Sequence, residues 1–420
     1  MADATGRSAG LAWLVWSLAA VFVVLNYVQQ VFPNLVAREL ADAFASDNST
    51  LGHIAAAYFL AYAVCQIPVG LILDRFGTRK PLALAILLAG LGAFAFALSQ
   101  TAANALLARV LMGASSAFSF LGCLKLVQAW FPVSKFSTLA GITNTAAMLG
   151  AASGAPLAWW VDVVGWRTAM AGMGAVELLL AVLTLLIVRD RPQPGGSTPR
   201  EQASLGISLK AVSGVLRNRQ VWLNAAFATG ISLIFVAFGG LWGASFIRKA
   251  YGLDTVAAAH SSSMLFLGGI VGSVFFGWWS DHLHSRVKPM RLAALGGCLT
   301  LCLLLYIPDV PLTLFKMGLF LMGFFSSANI VAYAVARDLY PRDSGFSIGL
   351  ISTCFYAGSA LSQPLVGVLL EYHSRDHAGP GIDHLTVADY RFALSALVVF
   401  MAVALASSLR VRETLRQHKG

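Results

Sequence analysis

Charge is what this sequence has least of. Of its 420 residues, 29 are Lys or Arg and 19 are Asp or Glu, 11% in all, against about 25% in soluble globular domains. So few charges cannot cover a water-facing surface, so lipid must cover much of this one. No loop is large enough to form a soluble catalytic domain, and no nucleophile–base or metal-ligand spacing is recognisable, which argues against a receptor or enzyme domain standing in water. Cysteine is scarce: Cys65, Cys123, Cys298, Cys302 and Cys354 all lie in apolar runs, where they read as small core hydrophobes rather than metal ligands or informative disulfides. The net charge of +10 raises the question of nucleic acid. The cations, however, are not gathered into a basic domain with interleaved aromatics, so no nucleic-acid partner is expected. No cofactor or metal is expected either.

What the chain has in abundance is apolar sequence: 58% hydrophobic, with a mean hydropathy of +0.73. A membrane helix needs about 20 mostly apolar residues. Runs of that length fall near 10–33, 51–73, 81–99, 104–130, 137–160 and 167–188, then near 221–246, 257–279, 290–307, 312–336, 346–370 and 391–409. The first run follows Arg7 as in a signal peptide, yet it continues through Val31 without a small-residue cleavage site and reads as a span. The polar stretch Arg189 to Gln220 contains Pro192, Pro194, Gly195, Gly196 and Pro199, a linker composition. The expected organisation is therefore all-α and membrane-integral, with twelve helices in two six-helix bundles, 1–188 and 221–420, joined by a linker at 189–220.

Placing the N-terminus inside puts 20 of the 29 Lys and Arg on the cytoplasmic side and six outside, and leaves Arg109, Lys125 and Lys316 within spans. That asymmetry orients both termini toward the cytoplasm. The halves also repeat. Gly70, Asp74, Arg79, Lys80 and Pro81 after the second span are echoed by Gly277, Asp281, Arg286, Lys288 and Pro289 after the eighth. Trp130, Phe131 and Pro132 are echoed by Leu339, Tyr340 and Pro341. Parallel six-helix halves are one transporter architecture.

The loop formed by Gly70, Asp74, Arg75, Gly77, Arg79 and Lys80 resembles the signature loop of the major facilitator superfamily, with Asp281 in its second copy, where His282 replaces the usual Arg. Arg109 four residues before Gly113, and Gly165-Trp166-Arg167, resemble further motifs of that family. Asn26-Tyr27, Gln30, Tyr58, Tyr62, Gln66 and Pro68, with Gly240 to Gly243, are similar to a bacterial subgroup that imports amino acids, nucleosides or organic acids, phagosomal nutrient transporters among them. Gly141, Gly150 and Gly154 have the spacing of an exporter motif, but Pro156 is one place late. Close helix approach explains them equally well.

The family resemblance implies that spans 1, 4, 7 and 10 line a central cavity flanked by 2, 5, 8 and 11. Polar residues at membrane depth belong against protein or water, so the substrate-binding candidates are Asn26, Tyr27, Gln30, Tyr58, Tyr62, Arg109, Lys125, Asn144, Trp242, Asn329, Tyr333, Tyr356 and Gln363. Arg109 and Lys125 lie toward opposite ends of the fourth span on faces about 160° apart, so they are not expected to share a site. Lys316, a few residues into the tenth span, reads as a snorkelling side chain. Glu177 is the one carboxylate deep within a span, either a coupling group or a partner for a buried donor. His373, His377 and His384 with Asp376 and Asp383 read as a solvated outer loop. Asp74 is expected, from the family, near the start of the eleventh span.

The expected function is secondary transport of a small organic solute across a bacterial inner membrane by alternating access. Uptake is favoured, with protons as a candidate coupling ion and a monomer as the working unit. Three cations against one carboxylate at membrane depth favour an anionic or zwitterionic solute. A drug or metabolite exporter exchanging protons is the alternative.

Overall fold

In lipid, backbone polar groups must pair within their own segment, so an apolar chain of this kind resolves into helices. The computed structural model describes residues 2–44, 48–151, 153–190, 209–374 and 385–415, with no β-strand among them. Among the described residues, ten segments, from Gly10–Pro33 to Val387–Arg410, are long and apolar enough to cross a bilayer. The other two expected spans are helical as well. The fifth is Phe136–Ala151 followed by Gly154–Val164, and the eleventh is the 31-residue helix Ser344–Ser374. The fold is all-helical with twelve spans.

The chain divides into two compact units. One comprises Met1–Phe136, Ala146–Ser213 and Pro341–Leu350; the other comprises Ser137–Thr145, Gly214–Tyr340 and Ile351–Gly420. Each unit thus takes in a short helical start from the other half of the sequence. Leu60, Val64, Leu107, Trp159 and Leu186 are exposed. Large apolar side chains in that number, turned outward, fit a lipid-facing surface.

Local sequence chemistry sets the ends. Thr101 Oγ1 accepts from the Asn104 amide, Asp254 Oδ1 from Ala257 at 2.7 Å, and Thr386 and Asp389 form a capping box before Val387–Arg410. That cap starts the twelfth span four residues earlier than hydropathy suggests, and it brings Arg391 inside the helix. The eleventh helix likewise runs past its apolar core to Ser374, so His373 sits in its last turn rather than in a loop. There it bonds to the buried Asp389 at 2.6 Å. His377, His384, Asp376 and Asp383 lie outside the described residues.

Besides the break at Ser153 in the fifth, two further spans depart from regular α-geometry. The seventh passes from Arg219–Leu233 into wide π-turns over Ile234–Trp242 before resuming as Gly243–Tyr251. The tenth is interrupted at Ser327 and Ala328, between Leu312–Ser326 and Asn329–Leu339. Such interruptions are tolerated at membrane depth where neighbours re-satisfy the backbone.

Candidate functional site

A buried polar network occupies the first unit at membrane depth. Gly113 lets the fourth span touch the second: a Cβ there would stand 2.2 Å from the Tyr58 carbonyl oxygen. Arg109, four residues earlier, lies on the same helix face, and its guanidinium sits 4.3 Å from the Tyr58 ring centre. Arg109 Nη1 donates to the Gln29 carbonyl at 2.8 Å and Nε to the Ile54 carbonyl at 3.4 Å. The Tyr58 hydroxyl makes a short hydrogen bond to Asn26 Oδ1, and Asn26 Nδ2 donates to Ser119 at 2.7 Å. Gln29 Nε2 donates to Glu177 Oε2 at 2.8 Å. Asn26, Gln29, Tyr58, Arg109, Ser119 and Glu177 are all buried. Arg109 Nη2, Gln29 Oε1 and Glu177 Oε1 are enclosed without a partner among the described residues.

A second grouping lies at the loop between spans 2 and 3. Asp74 Oδ1 accepts from Lys125 Nζ at 2.8 Å and from the Gly345 amide at 2.9 Å, and Oδ2 accepts from Phe346 at 2.9 Å. A carboxylate on the first amides of a helix is stabilised by the helix dipole, by up to about 2 kcal/mol when partly buried. Lys125 also donates to Ser344, which donates to Gln128 at 2.6 Å. The approach is close enough that a Cβ at Gly70 would stand 2.3 Å from the Gly345 carbonyl oxygen. Lys125 is therefore engaged at the start of the eleventh helix, away from Arg109. Burial and the neighbouring Asp74 carboxylate push the Asp343 carboxyl up, against Lys125 and Arg342. Gly77 adopts φ +78°, which only glycine enters freely, and Asp190 closes over it, accepting from Thr78 and Arg79 amides at 2.6 and 2.8 Å. Arg79 donates to the Leu185 carbonyl, Arg75 lies over the Phe76 ring, and Lys80 is exposed.

The second unit repeats this scheme with other residues. Asp281 Oδ2 accepts from the Thr138 amide and hydroxyl at 2.8 and 2.9 Å, at the start of the fifth span. Arg286 bridges Asp281 at 2.7 Å and Asp338 at 3.1 Å, and also donates to Ser137 and Ser280. Glu413, after the last span, accepts from the Ser285 hydroxyl at 2.5 Å and from the Arg286 amide at 2.9 Å. Burial opposes ionisation of Glu413, but these bonds and those from Leu415 and Val287 outweigh it and hold the carboxyl below its usual range.

The remaining candidates disperse. In the first unit Tyr27 lies beside Gly150, Tyr62 is buried, and Gln30 Nε2 is enclosed without a partner among the described residues. In the second unit, Asn144 donates to Ser273, Asn329 donates to Ser232, and Trp242 packs where a Cβ on Gly367 would stand. Tyr333 is nearly buried, and the Tyr356 ring lies 4.9 Å from Phe355. The Gln363 side chain is outside the described residues. Sequence reasoning named Gln30 and missed Gln29, Ser119, Gln128, Asp190 and Glu413. Gln29 and Gln30 stand three and four residues after Asn26, spacings that share a face equally well, so no sequence signal chose between them.

The sequence profile described as "Major Facilitator Superfamily" matches residues 8–315 and 232–419. The chain is 27% identical over 366 residues to "Membrane sensor protein UhpC" of Salmonella typhimurium, covering 81% of each. It is 25% identical over 401 residues to "Probable galactarate/D-glucarate transporter GudP" of Bacillus subtilis, covering 87% of each. Among solved structures it resembles the Major Facilitator Superfamily transporter FucP in the outward conformation, with a TM-score of 0.74 at 14% identity, over 96% of this chain and 100% of that one. That likeness concerns the fold.

Proposed function

Because the chain belongs to the major facilitator superfamily, a family of secondary transporters, we propose that it takes up a small organic anion by alternating access. The observation that carries this reading is Arg109 Nη2, a cationic donor buried within the first unit and left without a partner among the described residues. A buried unpaired donor of this kind is costly to keep, and a solute carboxylate reaching it during the transport cycle would satisfy it. The GudP relative, named for two sugar diacids, supports a carboxylate solute. The glycine spacing of the fifth span does not require export. Gly141 meets the Ser273 carbonyl and Gly150 the Val24 carbonyl, so both serve close helix approach.

Both termini face the cytoplasm in this reading, and the Asp74 contacts to Gly345 and Phe346 break and re-form in each cycle. The test is counterflow in sealed vesicles holding the purified chain, with galactarate, glucarate and neutral sugars as solutes. Acid-selective counterflow that Arg109→Gln loses, at normal levels of folded protein, is the expected result. Equal counterflow of neutral sugars by the parent and Arg109→Gln overturns the anion reading. Thermal stabilisation by a diacid with no counterflow would instead make the chain a sensor, the role for which UhpC is named.

A further inference from the structure

Two neighbouring acceptors in the first unit lack a donor. Glu177 Oε1 and Gln29 Oε1 are enclosed and unpartnered among the described residues, while their companion atoms are joined by the bond from Gln29 Nε2 to Glu177 Oε2 at 2.8 Å. A carboxyl and a carboxamide linked in this way close naturally into a two-bond ring. The amide N–H donates to one carboxyl oxygen, and an acid O–H on the other donates to the amide carbonyl. An ionised Glu177 leaves both remaining oxygens bare inside the helices, where an unpaired charge is expensive. One proton satisfies both. Swapping the amide nitrogen and oxygen changes which carboxyl oxygen carries the proton, not the need for one.

We propose that Glu177 and Gln29 form a proton-binding site, occupied in this conformation by a proton on Glu177 Oε1 donated to Gln29 Oε1. The inference rests on the transport reading only in giving it a coupling ion. The groups around the site fit a proton better than a metal cation. On the fourth span Arg109, already cationic, holds the Gln29 carbonyl, and on the second Tyr58 lies within electrostatic reach of both Arg109 and Glu177. The third span packs Gly90 against the Glu177 Cβ, and its cations, Arg79 and Lys80, stand at its far start. Asp162, in the second segment of the fifth span, is exposed. Two oxygens are too few to replace the shell of a sodium ion beside a guanidinium. On release, the O–H bond breaks, its electron pair stays on Oε1 and the proton leaves. Arg109 holds the Gln29 backbone carbonyl from the fourth span. The site thereby links the sixth, first and fourth spans.

Infrared spectroscopy of the whole chain in lipid, with no solute present, tests this apart from the solute question. A protonated-carboxyl C=O band should persist at neutral pH and disappear in Glu177→Gln, which keeps a hydrogen-bonded amide pair and so the local packing. Gln29→Met, which removes both partners of the acid, should keep the band and move it to higher wavenumber. In vesicles, the stimulation of uptake by an imposed pH gradient should fall about tenfold or more in Glu177→Gln. The proposal is overturned if the folded parent has no Glu177-dependent band from mildly acidic to mildly alkaline pH, or if sodium ions abolish it. A clear band in a chain that moves no acid sinks the anion reading and leaves the proton site standing.

Discussion

The two repeated loops solve one problem with different chemistry. In each unit an aspartate at the end of a span sits on the first groups of another helix: Asp74 on Gly345 and Phe346, Asp281 on Thr138. In the first unit the counter-charge is Lys125, a flexible ammonium, and the pair is partly open, with 15% and 11% of the two side chains exposed. In the second it is Arg286, fully enclosed and shared between Asp281 and Asp338. A planar guanidinium can bond several acceptors at once, whereas a lysine acts as a point charge. The repeat therefore preserves the carboxylate on the helix start and lets the counter-charge vary. That makes the first contact easier to release than the second.

The largest effect that tests this difference is expected at Arg286. Arg286→Met leaves the buried Asp281 without its cation and Asp338 with Arg337 alone, and thermal or denaturant unfolding should register a loss of about 3–5 kcal/mol. If Lys125→Met proves as damaging, the contrast between the units is wrong. Next in size is Asp74→Asn. Losing a partly buried carboxylate at a helix start should cost about 1–2 kcal/mol, enough to shift a conformational ratio about tenfold. Distances between labels on the start of the eleventh helix and the end of the second, together with the transport rate, read this out; neither should stay unchanged.

The smallest effect concerns Glu413, whose carboxyl is held below its usual range. A depressed folded-state value means the stabilisation is complete above the ordinary glutamate value near 4.3 and fades as pH falls through the lower folded one. Glu413→Gln should therefore cost about 1 kcal/mol at neutral pH, with the gap to the parent closing only in acid. A gap that already closes near neutrality would show that the hydrogen bonds to Ser285 and Arg286 do not favour the ionised form.

The architecture was readable because lipid imposes length and polarity limits that a hydropathy scan measures directly. Asp74 was readable through its loop motif, and Arg109 and Glu177 through the rarity of charge at membrane depth. Gln29 was not, because along an apolar helix there is no polar face against which to set its phase, and its neighbour Gln30 looks the same. Lys125 was read as a candidate solute contact, and its engagement with Asp74 and Ser344 depended on residue 344, more than two hundred positions away. Asp190 and Glu413 were hidden differently. Both follow the last span of their half and cap the loop before the third, yet they stand 223 apart where the loop motif recurs after 207. A fixed-offset repeat passes over them, and each reads as one more charge in a polar tail.

The interleaving of the two units also orders events during synthesis. Pro341–Leu350 belongs by packing to the first unit and Ser137–Thr145 to the second. When the ribosome has finished the sixth span, Asp74 still has no Gly345 or Phe346 amide to hold, and Ser344 is not there to receive Lys125. That corner of the first unit stays open until most of the chain has been made. Asp281 meets the opposite situation, since Thr138 was inserted long before it. Domains made from the N-terminus usually close in order. Here the earlier unit waits for the start of the eleventh helix, and a chain halted after the sixth span leaves Lys125 and Asp74 without their Ser344, Gly345 and Phe346 partners.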